Sequence, residues 1–271
     1  SRSDMDQQSF NQQLCSFLAR ATSPFHAVNA MSFILEQAGF ARLEENSDWN
    51  LESGSKFYLQ RNDSSLVAFV IGRDLGPTMG MRMVGAHTDS PSLMVKPTPE
   101  KRRKGYFQLA VEVYGGALLN PWFDRDLSLS GRVSYEAEDG KLKTALIDYR
   151  DPIATIPSLA IHLDREANKK RSINPQTDIL PLLSLSDENE PPTFRELLKA
   201  RVLEEHPDSG IKRVLDYEMT FYDAQGPAII GLNKEFIASA RLDNLLSCFT
   251  GLQALVQSDG AASGLLICND H

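Results

Sequence analysis

The sequence predicts an α/β protein whose α/β domain is split by a β-rich insertion. Two observations carry this. Near both ends, helices with an apolar face adjoin short apolar runs bounded by polar turns, the texture of buried strands between helices. Between roughly residues 92 and 232 the texture changes to period-two alternation, which means antiparallel strands with one wet face. The α/β domain is therefore assigned to 1–91 and 233–271, and the inserted domain to 92–232.

The elements follow in order. Ser1-Arg2-Ser3 carry no initiator Met and read as a trimmed end. Phe10, Leu14, Phe17, Leu18 and Ala21 share one face and predict an opening helix. In Ser23-Pro24-Phe25-His26, Ser23 suits an N-cap and Pro24 the first helical position; Gly39 ends this second helix. His26 lies in its first turn, where a lone histidine is more often structural than catalytic. Leu66 to Ile71 and Met81 to Gly85 read as buried strands.

Within the insertion, Phe107 to Val113, Leu127 to Tyr135 and Leu215 to Phe221 alternate apolar with polar positions. Gly115-Gly116 and Asp139-Gly140 mark turns. The Pro-rich stretch Ser184 to Pro192 and a short helix near Phe194 to Leu203 interrupt this region. Beyond Gly231 the α/β texture returns. Leu242, Leu245, Leu246, Phe249, Leu252 and Val256 line a helix, and Gly264 to Cys268 is a further buried strand.

Composition narrows the function. The chain has 271 residues and a net charge of −8, which opposes a general nucleic-acid role. The basic cluster Lys101-Arg102-Arg103-Lys104 reads as a solvated loop. No apolar run approaches the ~18 residues of a membrane helix, and the N-terminus shows no secretory signal pattern. Cys15, Cys248 and Cys268 form no CxxC pair and fit a reducing cytoplasm. G-x-S-x-G, H-E-x-x-H, Walker A and G-x-G-x-x-G are all absent, which argues against the common nucleotide-binding and serine-hydrolase mechanisms.

Two places can carry chemistry. His87 and Asp89 stand just past a strand end, where sites form in open α/β sheets. An imidazole can bind metal through one nitrogen while a nearby carboxylate holds the other N–H. Asp243, in Ser239-Ala240-Arg241-Leu242-Asp243-Asn244, opens an amphipathic helix. It reads either as a helix cap or as a carboxylate bridging two cations with its two oxygens. From spacing alone His162 reads as a helix histidine, and His206, before Pro207, as a loop residue.

Strung together, SPFHAV (23–28), RNDSSLVAF (61–69), VGAHTDSPSLMVKP (84–97), VEVYGGALL (111–119), WFDRDLSLSGRV (122–133), IPSLAIHLDR (156–165), FIASARLDNLLSC (236–248) and ICNDH (267–271) resemble the aspartyl aminopeptidase family of dinuclear zinc exopeptidases. The resemblance implies a three-layer α/β proteolytic domain with a mostly parallel sheet, interrupted by a β-rich dimerisation domain. It implies removal of N-terminal Asp or Glu from peptide substrates, and assembly from dimers into particles of twelve subunits. His87 matches a metal-binding histidine, Asp89 the acidic residue behind it, and Asp243 the carboxylate bridging two Zn2+. His162 matches a histidine projected into a neighbouring subunit's active site, holding substrate and developing oxyanion. Mn or Co would also suit such ligands. The implied mechanism is hydrolysis by a zinc-activated water, with a glutamate as general base.

The sequence departs from the family at one point. There, an Asp-Asn or Asp-His pair is followed at once by Glu-Glu-Val-Gly-Ser, whose first Glu is the base and whose second binds metal. Asn269-Asp270-His271 are the last residues here, and the motif is absent. The expectation is a chain truncated before it, with Asp270 and His271 as flanking residues, lacking the base and several ligands. The alternative is a catalytically silent assembly subunit.

Overall fold

The computed structural model describes residues 6–74, 80–186 and 192–271. Residues 1–3, read from the sequence as an end, and most of the Pro-rich stretch over 184–192 lie outside the described residues. Helix α1 (Gln7–Arg20) starts where the Asp6 carboxylate accepts the Ser9 N–H at 2.7 Å. Helix α2 (Pro24–Gln37) starts at Ser23, whose hydroxyl caps the His26 N–H, with Pro24 at the first position. His26 returns its Nδ1 to the Ser23 hydroxyl at 2.7 Å, a structural use of the ring. Gly39, at φ +86°, carries the chain out of α2.

Strands β1 (Ala41–Arg42), β2 (Lys56–Arg61), β3 (Ser65–Val70) and β4 (Met81–His87) follow. Next come β5 (Ser92–Arg103), β6 (Tyr106–Tyr114), β7 (Leu127–Ala137), β8 (Leu142–Asp148), β9 (Leu182–Leu185), α3 (Phe194–Glu205) and β10 (Ile211–Asp223). The hairpin β11 (Ala228–Ile230) and β12 (Phe236–Ala238), helix α4 (Leu242–Val256) and β13 (Ser263–Asn269) complete the chain.

These elements form two compact units. One holds residues 1–90 and 226–271, the other 91–225. In the first, a five-stranded sheet runs β1-β2-β3-β13-β4. Its pairs β1–β2 and β13–β4 are parallel, and β2–β3 and β3–β13 antiparallel, so the sheet is mixed and not mostly parallel. The tight turn at Asn62–Ser64 lets β3 pair antiparallel with β2 where a crossover would have been needed for a parallel pair. Among the described residues, α1, α2 and α4 cover one face, packing on Leu66, Ala68, Val70, Leu266 and Cys268.

The expectation that Met81 to Gly85 forms a buried strand is corrected. Met83 of β4 is 69% exposed, because β4 is the edge strand and its outer face is uncovered among the described residues. What β4 does accomplish is positional. It runs parallel to β13 with His87 beside Asn269, so both carboxyl ends emerge together.

The second unit is a six-stranded antiparallel sheet, β8-β7-β10-β5-β6-β9, with α3 packed on it. A capping box between Thr193 and Glu196 starts α3, and Phe194 sits edge-on to Tyr217 at 5.0 Å. The core gathers Leu129, Val133, Met219, Phe221, Leu198 and Val202. The expectation of one wet face fails at the start of β7, where Ser128 and Ser130 are fully buried beside Leu127 and Leu129. Gly131 is needed there: a Cβ would lie 1.9 Å from the Glu218 carbonyl oxygen. His162 is not a helix residue. It occupies an exposed turn at 161–163, where Leu159, Ile161 and Leu163 are themselves exposed, so the segment buries no helical face.

Candidate metal-binding site

The site begins with the end of β4. The Thr88 N–H bonds the Asn269 carbonyl of β13 at 2.7 Å, and the Thr88 hydroxyl donates to the Ser64 carbonyl at 2.7 Å. These bonds hold the chain just past the strand, where His87 and Asp89 project. His87 Nδ1 faces Asp89 Oδ1 at 3.2 Å and the Asp89 carbonyl oxygen at 3.0 Å. Both oxygens are acceptors, so they draw the ring proton to Nδ1 and leave the Nε2 lone pair open. Asp89 is almost buried and the imidazole is one-third exposed.

Asp243 approaches from the other side. Its Oδ1 lies 3.3 Å from His87 Nε2, with the carboxylate 87% exposed. The helix-cap reading of Asp243 is not what the backbone shows. Regular helix begins only after Asn244: Arg241 is left-handed at φ 61°, Asp243 has φ −88° and ψ 108°, and no side chain caps this end. The carboxylate is therefore free to face His87. The Asp243–Asn244 peptide bond is cis.

Three anchors keep this segment in place. The Arg241 guanidinium donates to the Ala21 and Leu18 carbonyls at the end of α1, at 3.0 and 3.1 Å. The Ser90 hydroxyl donates to the Asp243 carbonyl at 3.0 Å. Asn244 Oδ1 accepts the His87 N–H at 2.9 Å. Behind His87, the buried Cys248 thiol donates to the His87 carbonyl oxygen at 3.1 Å. Its hydrogen bond with the Cys268 side chain, together with burial, pushes the Cys248 thiol well up, so it keeps the proton it donates.

The donor chemistry fits a divalent metal. Two ligand atoms each about 2.1 Å from one tetrahedral Zn2+ stand roughly 3.4 Å apart. His87 Nε2 and Asp243 Oδ1 stand 3.3 Å apart. Among the described residues, no group of three or more His, Cys, Asp and Glu side chains is gathered for a metal, so the chain brings two donors to a set that needs more.

The structure thus brings His87, Asp89 and Asp243 together. His162 belongs to the other unit, on its exposed turn. The flanking Leu159 and Ile161 line a cavity of about 560 Å3 in that unit, where the Arg171 guanidinium lies over the Phe123 ring at 3.8 Å. Sequence reasoning missed Asn244, Ser90 and Cys248, whose side chains bond backbone groups of His87 and Asp243 and leave no spacing signature. It also set aside His271, whose ring centroid lies 5.8 Å from that of His87.

A histidine backed by a carboxylate and faced by an exposed second carboxylate, at the carboxyl end of a sheet strand, is the arrangement of donors a metallohydrolase uses. Comparison with known proteins agrees on the class. The Aminopeptidase I zinc metalloprotease (M18) family matches residues 17–267, and the chain belongs to that family. It is 54% identical over 260 residues to a protein named "Probable M18 family aminopeptidase 2" in Ectopseudomonas mendocina, covering 96% of this chain and 60% of that one. The structure of Chaetomium thermophilum mApe1 is 30% identical, with a TM-score of 0.85, covering 97% of this chain and 62% of that chain. The structure of the S. cerevisiae mApe1 dodecamer is 25% identical, with a TM-score of 0.75, covering 97% and 60%. The chain therefore spans about three-fifths of the length of the relatives it matches. None of the helices among the described residues is long and apolar enough to cross a membrane.

Proposed function

We propose that this chain is part of a metal-dependent aminopeptidase that removes N-terminal Asp or Glu from peptides. His87 and Asp243 would be two ligands of a dinuclear zinc centre, Asp243 serving both ions. The observation that carries the reading is the His87 imidazole, held by Asp89 on one nitrogen and open toward the exposed Asp243 carboxylate on the other. Zinc bound there supplies an acidified water and a Lewis acid for the scissile carbonyl. The chain's own residues do the rest. Asp89 keeps the Nδ1 proton in place and the Nε2 lone pair outward; Ser90 holds the Asp243 carbonyl and Asn244 the His87 N–H, so that both carboxylate oxygens of Asp243 stay available. By the resemblance, the general base and one further ligand are assigned to the Glu-Glu-Val-Gly-Ser motif, and the remaining ligands to acidic and histidine residues that follow it in the family.

The preference for acidic N-termini rests on the resemblance of the quoted stretches to aspartyl aminopeptidases. His162 is assigned to a neighbouring subunit's substrate, which its exposed turn on the β-rich unit permits. The β-rich unit is taken as the oligomerisation domain, and the dodecamer of a structural relative supports self-association from dimers upward. The free thiols Cys15, Cys248 and Cys268 suit a cytoplasmic protein.

The full-length protein tests the proposal. Zinc is measured by atomic emission, and hydrolysis of aspartyl, glutamyl and leucyl p-nitroanilides is compared before and after chelation. Stoichiometric zinc is expected, with acidic substrates preferred and activity restored by metal. Oligomers without zinc or hydrolysis would instead make it a silent assembly subunit.

A further inference from the structure

The edge position of β4 raises a question about His87 itself. Successive residues of a strand turn their backbone polar groups to opposite sides. Thr88 directs its N–H to Asn269 on β13, so the N–H and C=O of His87 point away from β13, to the side where β4 has no strand partner among the described residues. A backbone donor and acceptor at such an edge would normally meet another strand or water. Here both meet side chains of α4, four residues apart. Asn244 Oδ1 accepts the N–H at 2.9 Å, and the Cys248 thiol donates to the C=O at 3.1 Å. The Asn244 carboxamide is itself oriented, because its Nδ2 donates to the Ser247 hydroxyl at 3.0 Å. A backbone N–H can only donate, so the oxygen must face His87.

We propose that Asn244 is a positioning residue for the His87 imidazole, holding the His87 peptide and tying the ligand at the end of β4 to the adjacent ligand, Asp243, at the start of α4. The inference rests on the metal-site reading above. Without the clamp, only the Ser90 and Cys248 bonds tie the β4 end to the Asp243 segment, and the 3.3 Å spacing of Nε2 and Oδ1 is less firmly preset. Groups that orient metal ligands typically contribute 10–100-fold to metal affinity. Cys248 supports the same peptide from behind, and Ser247 acts on Asn244 alone.

The test uses the full-length protein. Asn244→Leu keeps the approximate volume and removes the acceptor; Asn244→Asp keeps the acceptor oxygen. Three readouts are taken: zinc affinity by chelator competition, the visible spectrum of the Co2+-substituted protein, and hydrogen exchange of the His87 amide in metal-free protein. Asn244→Leu is expected to weaken zinc binding about 10–100-fold, to alter the Co2+ spectrum, and to speed exchange at His87 with the thermal midpoint nearly unchanged. Asn244→Asp is expected to restore slow exchange and a wild-type-like spectrum. Wild-type affinity, spectrum and exchange in Asn244→Leu would overturn the clamp, and so would a loss that only tracks global unfolding and is not rescued by Asp. If the wild-type protein itself takes up no zinc, the metal-site reading falls, and the clamp as a ligand-positioning device falls with it. That result is read on the wild type and not on the variants, so the two failures are distinguishable.

Discussion

At the scale of single residues, the site is a set of short commitments around one imidazole. Asp89→Ala removes the carboxylate beside Nδ1 and keeps the backbone carbonyl at 3.0 Å, so it should lower zinc affinity of the full-length protein by no more than about 10-fold without unfolding it, as chelator competition would show. Arg241 acts further out, by donating to two carbonyls at the end of α1. Hydrogen bonds from a charged donor contribute about 1.5–3 kcal/mol, so Arg241→Ala should cost about 2 kcal/mol in urea unfolding. Two tyrosines of the β-rich unit set an alkaline limit. Burial pushes Tyr149 and Tyr217 up to about 12, from an ordinary value near 10. The raised folded-state value means their contribution is complete below about pH 10 and is lost as pH rises toward 12. The thermal midpoint should fall across that window, and the fall should be shallower in Tyr149→Phe.

Among the elements, α4 is the one on which the site depends. Gly251 lets it sit close against the sheet; a Cβ there would lie 2.7 Å from Leu266 Cδ1 and 3.1 Å from Val84 Cγ1. Overpacking typically costs about 1–3 kcal/mol. Gly251→Val should therefore destabilise by that order and, by lifting α4 off β13 and β4, should weaken zinc binding more than Arg241→Ala does. A capping change elsewhere supplies the control. Thr193→Ala removes the α3 capping box and should cost about 1 kcal/mol while leaving zinc affinity untouched.

Across the whole molecule, the candidate site residues are divided between units. The α/β unit carries His87, Asp89 and Asp243, and the β-rich unit carries His162. If His162 serves a neighbouring subunit, His162→Ala in the full-length oligomer should lower kcat while zinc content and particle size stay as in wild type. Loss of zinc would make it a ligand instead. Mixing His162→Ala subunits with an inactive His87→Ala subunit should restore activity, since each supplies what the other lacks.

Much of this was legible in the chain and some of it was not, for physical reasons. Helices α1, α2 and α4 announce themselves because an apolar stripe must repeat with the helical turn, and Ser23-Pro24 marks a start by local hydrogen bonding alone. The alternating strands of the β-rich unit follow from the same local logic. The His-x-Asp spacing at the end of β4 put a candidate ligand and its carboxylate partner side by side before any fold was known. Local sequence does not encode pairing direction, so the mixed order of the sheet and the exposure of β4 came only from the fold. The turn at His162 was equally hidden, because a short apolar stretch fits helix or loop until its neighbours are placed. Above all, the meeting of His87 with Asp243, and of Asn244 with the His87 peptide, joins segments far apart in the chain. Residue identity determined which groups could hold a metal. Only the parallel pairing of β4 with β13, and the packing of α4 across them, decided that they stand within reach of one another.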